Sequence, residues 1–367
     1  MSAVKKKVVV GVSGGVDSSV AAYLLKEQGY EVIGLFMNNW DDADDEVCTA
    51  TEDWQDARAV CGALGIPAYS VNFQKEYFER VFTHFLSEYK KGRTPNPDVL
   101  CNREIKFGPF WDYARRLGAE YIATGHYCRI AQNGEEVHLL EAADASKDQT
   151  YFLNQVRTQQ LKGVLFPLGD LVKTEVRAIA EKIGLVTAKK KDSTGVCFIG
   201  ERNFKKFLST YLPAQRGDIV DTHGKIIGTH DGLMYYTIGQ RRGLGIGGVK
   251  GEAQSRWYVV RKELETNRLI VSCGEGEELL YSSLRCDGFN FIGEAPKENP
   301  LACAVKTRYR MPAESATLTV TESGAQIVFE RPQRAVTPGQ YAVAYRNGRC
   351  LGGGVIQNAF LEKRPLY

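Results

Sequence analysis

The sequence predicts three domains: a Rossmann-like α/β domain with a parallel sheet, a small central domain that is mostly β, and a C-terminal β-barrel. Strand and helix patterns alternate along the first half of the 367-residue chain, as in a parallel sheet covered by helices on both faces. After about residue 205, short strands and glycine turns replace that alternation, and from Leu284 onward only strand patterns remain. We place the domains at residues 1–205, 206–279 and 280–367.

Four strands of the first domain are predicted from short β-rich runs, each bounded by a turn or a helix signal. They are Lys7 to Val12, Glu31 to Met37, Ala68 to Phe73 and Tyr121 to Thr124. In a sheet of this kind, ligands bind at the carboxyl ends of the strands. The residues that follow these strands are therefore the first candidates for a binding site.

Two helices between these strands have clear apolar stripes. Thr49 and Glu52 form a capping box before the first helix, which ends before Gly65. The second carries apolar side chains at steps of three and four residues: Tyr77, Phe78, Val81, Phe82, Phe85, Leu86 and Tyr89. This period is typical of a helix face packed in the core, and we favour that interpretation over base stacking.

Later in the chain, the pattern predicts β-structure. Asp218 to Gly274 contains the short strands of the central domain. Three strands of the last domain are separated by turn residues: Ala316 to Thr321, Gln326 to Glu330 and Tyr341 to Tyr345. We expect a compact barrel that closes near Leu351-Gly-Gly-Gly354.

Composition narrows the class of protein. The apolar fraction of 43% suffices for a core in each domain, and the net charge of +3 permits basic patches without requiring a nucleic-acid partner. The first strand begins close to Met1 and no apolar run approaches about 18 residues, so we expect a cytoplasmic protein without a membrane span. Nine cysteines without a Cys-x-x-Cys pair and only five histidines indicate reduced thiols, with neither a zinc site nor an iron–sulfur cluster.

The most informative segment follows the first strand and reads Gly11-Val-Ser-Gly-Gly-Val-Asp-Ser18. Gly14 and Gly15 allow backbone N–H groups to approach an oxyanion, serine hydroxyls add donors, and the next helix directs its positive end to the same place. No lysine follows the glycines, so the segment differs from the loop of mononucleotide kinases. It resembles the PP-loop of ATP pyrophosphatases, which cleave ATP between the α- and β-phosphates.

That resemblance implies a nucleotide site, and an ordinary strand–turn–helix remains the alternative. Asp17 is implied to help hold Mg²⁺. Met37, at the end of the second strand, is a candidate adenine contact, and the turn with Gly125 and His126 follows the fourth strand. His126 also fits a purely structural role. The residues implied to bind ATP are Gly11, Val12, Ser13, Gly14, Gly15, Val16, Asp17, Ser18, Met37 and Gly125.

Two cysteines differ from the other seven in their surroundings. Cys101 follows a segment in which prolines and asparagines predict a rigid loop, and Cys197 lies in a polar, glycine-punctuated segment, residues 192–200. Loops of this kind expose thiols, although burial remains an alternative for both residues. We interpret the others as small apolar residues of the core: Cys48, Cys61, Cys128, Cys273, Cys286, Cys303 and Cys350.

Six segments, in one order along nearly the whole chain, resemble the MnmA family of tRNA-specific 2-thiouridylases. Departures from the family pattern are conservative, with Thr150 where the family often has Ser and Val196 where it often has Ile. The matching segments are residues 11–18, 94–102, 123–127, 147–153, 193–202 and 237–247.

The resemblance implies an enzyme that adenylates O2 of the wobble uridine in the tRNAs for Lys, Glu and Gln, releases pyrophosphate, and then introduces sulfur. Sulfur would be carried as a persulfide on Cys197, with Cys101 as nucleophile, and the two thiols can end as a disulfide. The implied cofactors are ATP and Mg²⁺. The implied partners are tRNA and a persulfide sulfur-donor protein, and we expect a monomer.

The resemblance also implies roles for single residues. Asp98 is the implied general acid/base, although an Asp after Pro97 also fits a turn cap. Basic clusters at residues 189–191, at 202 with 205 and 206, and at 241–242 fit either phosphate contacts or a solvated face. The residues implied to contact tRNA are Asn96, Pro97, Asp98, His126, Lys147, Asp148, Gln149, Arg308, Tyr309 and Gln340.

Two other functions stay open from the residues alone. One is another PP-loop enzyme, such as an amidating ligase that uses ammonia, which would not need Cys101 or Cys197. The other is a nucleic-acid-binding module with a degenerate nucleotide site, which would not release pyrophosphate.

Overall fold

The computed structural model describes residues 5–40, 49–192, 204–246, 256–274 and 276–361. Five strands form a parallel sheet in the order β3-β2-β1-β4-β7, and β5 and β6 form a hairpin outside it. The four predicted strands are confirmed within two residues at each end. The strands of this part of the chain are β1 (Lys7–Gly11), β2 (Glu31–Asn38), β3 (Ala68–Asn72), β4 (Tyr121–Ala123), β5 (Arg129–Asn133), β6 (Glu136–Leu140) and β7 (Val164–Leu165).

Helices cover the sheet and carry the predicted core positions. The aromatic stripe is buried, except that Phe78 is 48% exposed and Leu86 is partly buried. The capping box predicted from Thr49 and Glu52 cannot be compared with the structure, because the side chain of Thr49 lies outside the described residues. The helices are α1 (Val16–Glu27), α2 (Thr49–Leu64), α3 (Gln74–Tyr77), α4 (Thr83–Lys90), α5 (Pro97–Cys101), α6 (Pro109–Arg116), α7 (Thr158–Leu161), α8 (Lys173–Lys182) and α9 (Phe204–Tyr211).

The loop predicted around Cys101 is wrong, because residues 97–106 are helical. Asn96 is the N-cap of α5, its side chain accepts a hydrogen bond from the backbone N–H of Asp98, and Pro97 occupies the first helical turn. A π-helical turn, Asn102–Lys106, continues α5. Pro97 therefore begins a helix, where its missing N–H costs nothing.

The central domain contains a four-stranded sheet in the order β10-β11-β8-β9. β11 runs parallel to β8, and the other two pairs are antiparallel. The mostly β prediction is thereby confirmed for this region. The strands are β8 (Gly217–Asp221), β9 (Ile226–His230), β10 (Trp257–Glu263) and β11 (Arg268–Cys273).

Six further strands close into a barrel, because β12 pairs with both β15 and β17. The closure lies where the sequence predicts it, with Gly352 opposite Phe291. At Gly352, where φ is +123°, a Cβ atom would meet the carbonyl oxygen of Asn290, so glycine is required. The strands are β12 (Leu280–Phe291), β13 (Leu301–Lys306), β14 (Glu314–Val320), β15 (Gly324–Arg334), β16 (Tyr341–Arg346) and β17 (Arg349–Phe360).

The β5–β6 hairpin connects the first part of the chain to the barrel. β6 pairs with β17 through Leu139–Cys350 and Leu140–Arg349, so the hairpin extends the barrel sheet. This hairpin was not predicted from the sequence, because its partner strand is about 200 residues away. Among the described residues, no helix combines the length and the apolar character needed to cross a membrane.

Candidate functional site

The nucleotide loop lies between β1 and α1, at the carboxyl end of the sheet. The backbone N–H of Ser13 donates to Ser18 Oγ at 3.1 Å, and the two serine hydroxyl oxygens are 3.2 Å apart. Ser18 and Ser19 also donate to the carbonyl oxygen of Gly15, at 3.3 and 2.7 Å. These bonds close the loop over the start of α1, whose first N–H groups are the ones free of helical partners.

Close backbone approach explains two glycines of the site. Gly14 has φ of +72°, and a Cβ there would lie 2.4 Å from the carbonyl oxygen of Asp53. A Cβ on Gly125 would lie 2.7 Å from the backbone nitrogen of Ser18. The turn after β4 therefore packs directly against the start of α1.

Three other predicted nucleotide contacts lie at this edge. Val12 and Val16 are buried apolar residues, so their backbone is what a nucleotide could reach. Met37 ends near the loop, since its Cε atom would be 3.6 Å from a Cβ on Gly11. The predicted ATP residues in the described chain thus gather at one end of the sheet.

Both carboxylate oxygens of Asp17 are engaged by residues outside the nucleotide loop. Lys173 Nζ, from the start of α8, donates to both carboxylate oxygens at 2.6 and 2.8 Å. The hydroxyl of Tyr127 donates to Asp17 Oδ1 at 2.8 Å, and burial together with the Asp17 charge raises the pKa of Tyr127. With both oxygens engaged, Asp17 does not fit a magnesium ligand in this arrangement, and its role as a Mg²⁺ ligand remains untested.

Lys173 also connects the loop to Asp192. Its ammonium lies 2.8 Å from Asp192 Oδ1, which Arg177 contacts at the same distance, while Lys147 Nζ donates to Asp192 Oδ2 at 2.8 Å. Burial acts to raise the pKa of Asp192, but hydrogen bonds from Lys147 and Lys173 outweigh it and lower the pKa to about 2. Asp192 therefore stays ionised at any physiological pH.

The predicted acid and thiol lie on α5. Cys101 is 2% exposed, so of the two alternatives that the sequence leaves open for this thiol, the structure has burial. Its neighbour Asn102 donates from Nδ2 to the carbonyl oxygen of Phe152 at 2.9 Å, which ties the end of α5 to the 3₁₀ turn Thr150–Leu153. Reaction at Cys101 would require a movement that opens the site.

Asp98 and His126 share one cationic neighbour, Lys106. Burial raises the pKa of Asp98, and the positive charge of Lys106 lowers it by a smaller amount. Burial lowers the pKa of His126 well below its usual value, and Lys106 lowers it further. The raised pKa brings Asp98 closer to the range in which a carboxyl group serves as a general acid/base, whereas His126 is held neutral.

The turn after β4 joins the two halves of the site. Gly125 packs on the nucleotide loop and Tyr127 bonds to Asp17, as described above. Between them, His126 packs against Phe107, with ring centroids 6.2 Å apart, and its Nδ1 lies 2.7 Å from Thr124 Oγ1. Three consecutive residues therefore contact the nucleotide loop and the segment that follows α5.

All three residues in the predicted tRNA segment 147–149 have side chains engaged within the protein. Asp148 is buried, where it accepts from the Ala142 N–H at 3.1 Å and from Thr150 Oγ1 at 2.7 Å. Gln149 Oε1 accepts from the backbone N–H of Tyr127 at 2.9 Å. Lys147 is 38% exposed despite its ion pair, so a tRNA contact from this segment would come from Lys147.

The barrel residues predicted to contact tRNA lie at junctions between domains. Arg308 donates from Nη2 to the carbonyl oxygens of Ile238 and Ala335, at 2.8 Å each. Tyr309 packs on Phe152, with ring centroids 4.3 Å apart. Gln340 Nε2 donates to the carbonyl oxygen of Thr94 at 2.8 Å. Tyr309 and Gln340 therefore reach residues next to α5, since Phe152 accepts a hydrogen bond from Asn102 and Thr94 lies two residues before Asn96.

Several predicted residues can be placed less fully. Cys197, Cys48 and Arg202 lie outside the described residues. Core burial is confirmed for Cys61, Cys128, Cys286 and Cys350, Cys303 is partly buried, and the prediction is wrong for Cys273, which is exposed. In the basic clusters, Lys190 contacts Asp53 and Asp56 at 2.7 and 2.6 Å, and Lys205 pairs with Asp231.

Lys173, Tyr127 and Lys106 are site residues that the sequence did not predict. Tyr127 directly follows His126 in the turn after β4, so its position was a usable signal. Lys173 is the first residue of α8, late in the first domain, and Lys106 lies five residues after Cys101. No local pattern distinguishes these lysines from surface ones.

Family models match almost the whole chain in three parts. Residues 6–201 match the tRNA methyl transferase HUP domain, residues 205–273 the tRNA methyl transferase PRC-barrel domain, and residues 281–356 the aminomethyltransferase beta-barrel domain. These matches agree with the α/β domain, the central β domain and the closed barrel of the structure. The predicted fold class is confirmed.

The chain is also similar over its whole length to proteins named tRNA-specific 2-thiouridylase MnmA. The protein from Streptococcus mutans is 57% identical over 363 residues, which cover 98% of this chain and 97% of that protein. The protein from Streptococcus pyogenes serotype M49 is 58% identical over 365 residues, or 98% of each chain. The similarity therefore extends over all three domains.

Proposed function

Because the chain belongs to the MnmA family of tRNA-specific 2-thiouridylases, we propose that it replaces the C2 oxygen of the wobble uridine of tRNA with sulfur, in an ATP-dependent reaction. The observation that best supports this proposal is the turn Thr124–Tyr127, which contacts both the nucleotide loop and the segment after α5. A nucleotide on the loop and a base beside Asp98 and Cys101 would then meet at this turn.

The first step is adenylation of the uridine. A carbonyl oxygen is a poor leaving group, and transfer of AMP to O2 converts it into a good one. Pyrophosphate departs, and the N–H groups in the first turn of α1, which have no helical partners, are suited to bind it within the loop that the bonds of Ser13 and Ser18 close. Lys173 offsets the negative charge of Asp17 beside the loop, which would otherwise repel the phosphates.

The second step is sulfur transfer from a persulfide on Cys197. The terminal sulfur attacks C2, the C2–O bond breaks and AMP leaves. Cys101 then attacks the Cys197 sulfur of the adduct, the S–S bond breaks, and its electron pair forms the C2 thiocarbonyl. In the other order, Cys101 releases sulfide from the persulfide before attack. Both orders leave a Cys101–Cys197 disulfide, which a thiol reductant must reduce before the next turnover.

Asp98 is the proposed general acid/base for the proton on uridine N3 and for the attacking thiol. Its raised pKa supports this role, because a carboxyl group exchanges protons most effectively when its pKa approaches the working pH. The turn-cap alternative loses support, since the N-cap of α5 is Asn96, whose side chain accepts from the Asp98 N–H.

The partners and substrates of this reaction are part of the proposal. We propose that the substrates include the tRNAs for Lys, Glu and Gln, that a persulfide-donor protein loads Cys197, and that one protein monomer acts on one tRNA in the cytoplasm. The domain boundaries at residues 205 and 279 and the individual tRNA contacts also remain proposals.

The test is incubation of the purified protein with unmodified tRNA, Mg-ATP and a persulfide donor, followed by nucleoside analysis. We expect 2-thiouridine that depends on ATP and is lost in Cys197→Ser, whereas Cys273→Ser, which alters an exposed cysteine, remains active. Activity of Cys197→Ser would refute the persulfide assignment. Pyrophosphate release without thiolation, unaffected by replacing both Cys101 and Cys197, would favour an amidating ligase.

A further inference from the structure

Gln340 belongs to the C-terminal barrel, but its side chain contacts the chain just before α5. Its Nε2 atom donates to the carbonyl oxygen of Thr94 at 2.8 Å. The backbone N–H of Thr94 in turn donates to the carbonyl oxygen of Pro338 at 3.0 Å. One turn of the barrel therefore satisfies both backbone hydrogen-bonding groups of Thr94.

That turn is firmly attached to the barrel. The Gly339 N–H donates to the Ile356 carbonyl oxygen at 2.9 Å, and the Ile356 N–H donates to the Gln340 carbonyl oxygen at 2.8 Å. Gly339 has φ of +91°, and a Cβ there would lie 3.0 Å from backbone atoms of Thr94. The two backbones thus pack against each other without intervening side chains, so a displacement of the turn would displace Thr94.

Thr94 stands two residues before the N-cap of α5. Asn96 accepts from the Asp98 N–H at 3.2 Å, and α5 carries Asp98 and Cys101. The central domain holds the same stretch, since Thr237 Oγ1 lies 3.4 Å from Thr94 Oγ1 and Lys262 Nζ donates to the Gly92 carbonyl oxygen at 2.9 Å. The start of α5 is therefore held from both later domains.

From these contacts we propose that Gln340 is a positioning residue, which holds the Thr94 carbonyl and thereby sets the placement of Asp98 and Cys101 before any tRNA binds. This role goes beyond the tRNA contact that the sequence resemblance implies for Gln340. The significance for catalysis rests on the proposed function, whereas the effect on α5 does not.

Two substitutions test the contact. Gln340→Met keeps the length of the side chain but cannot donate to Thr94, and Gln340→Glu places a carboxylate against the Thr94 carbonyl. Gln333→Met is the matched control, because Gln333 Nε2 donates only locally, to the Arg331 carbonyl oxygen at 3.0 Å. If Gln340→Met or Gln340→Glu shows no cooperative thermal transition, Gln340→Asn, whose side chain is one methylene shorter, is used in its place.

The first readout uses protein without tRNA or ATP. We expect iodoacetamide to alkylate Cys101, and the amides of residues 92–98 to exchange hydrogen, at least about 5-fold faster in the Gln340 variants than in wild type. The Gln333→Met control should match wild type. Because no substrate is present, this result stands even if 2-thiouridine is not the product.

The second readout is thiolation. A positioning role predicts that kcat falls about 5–10-fold while KM for tRNA stays within about twofold, because geometry at the reacting groups is what changes. A rise in KM for tRNA with unchanged alkylation, exchange and kcat would overturn the proposal and leave Gln340 as a tRNA contact alone.

Discussion

The ammonium of Lys173 lies 2.6 and 2.8 Å from the two carboxylate oxygens of Asp17. Asp17 stands at the start of α1 and Lys173 at the start of α8, 156 residues later. The nucleotide loop contains no lysine in its own sequence, but the fold places Lys173 beside it. Lys173 is also 2.8 Å from Asp192, so it links the nucleotide loop to the first residue of the segment that contains Cys197.

Replacement of Lys173 by Met should weaken adenylation strongly. Loss of the cation leaves the Asp17 carboxylate uncompensated beside the departing pyrophosphate, and we expect tRNA-dependent pyrophosphate release to fall at least about 100-fold. Lys306→Met is the control, because Lys306 is similarly shielded, 14% against 11% exposed, and also contacts two carboxylates, Glu141 and Asp148. Equal losses in both variants would show that Lys173 acts only through stability.

Replacement of Asp17 by Ala separates the nucleotide site from RNA binding. We expect adenylation to fall about 100-fold, because Asp17 positions Lys173 and Tyr127 at the loop, while tRNA affinity stays within about twofold. Pyrophosphate release and a filter-binding assay with tRNA measure the two effects. Loss of both in a folded variant would indicate a structural Asp17.

Gly125→Ala should impair the site through backbone displacement. The added Cβ would lie 2.7 Å from the Ser18 nitrogen, so the turn or the loop must shift. We expect ATP affinity to fall about 10-fold or more, as judged by calorimetric titration. Gly62→Ala adds the same methyl group where nothing lies within 4 Å, and it should bind ATP normally. Normal affinity in Gly125→Ala would contradict the close packing of this turn.

Asp98→Asn should stabilise the protein at neutral pH while reducing thiolation. Because burial raises the folded-state pKa of Asp98, the folded protein binds more protons than the unfolded chain between the two pKa values. Stability therefore falls as pH rises through that window, and the lost part stays absent above it. Asparagine removes this penalty, so urea denaturation at pH 7 should show a higher free energy of unfolding than in wild type.

The thiolation activity of Asp98→Asn should fall although its stability rises. Loss of a general acid/base costs about 100-fold or more in kcat, so the expected result is a more stable and less active enzyme. Single-turnover thiolation measures this loss. Full activity in Asp98→Asn would remove the proposed proton-transfer role, and lower stability would contradict the raised pKa of Asp98.

The free energy of unfolding should depend on pH through Lys262, which lies in the central domain and bonds to the Gly92 carbonyl oxygen. Burial lowers the pKa of Lys262 to about 8, whereas the unfolded value is about 10.4. Between these values the unfolded chain binds more protons, so this contribution to stability rises with pH from about 8 to 10.4. Compared with Lys262→Met, wild type should gain free energy of unfolding between pH 7.5 and 10, measured by urea denaturation.

A constant difference between these two proteins across that range would show that Lys262 is not desolvated in the folded state. The hydrogen bond to the Gly92 carbonyl is expected to persist in wild type at high pH, because a neutral amine still donates.

Local patterns in the sequence predicted much of the fold. The first strands, the aromatic core helix and the closure of the barrel at Gly352 follow from periodicity and turn chemistry. The helix α5 could have been predicted locally, since Asn96 followed by Pro97 is itself a helix-start signal. The β5–β6 hairpin gave no comparable local signal, because its partner strand lies about 200 residues later.

The nucleotide loop can be read from the amino-acid sequence alone, because strand, glycines, serines and helix are adjacent in the chain and their backbone geometry is local. The family motifs can be read in the same way. Other relationships arise only when the chain folds: Lys173 neutralises Asp17, Lys106 acts on both Asp98 and His126, and Gln340 holds Thr94. These contacts join distant segments, so they depend on how the domains pack rather than on any local pattern.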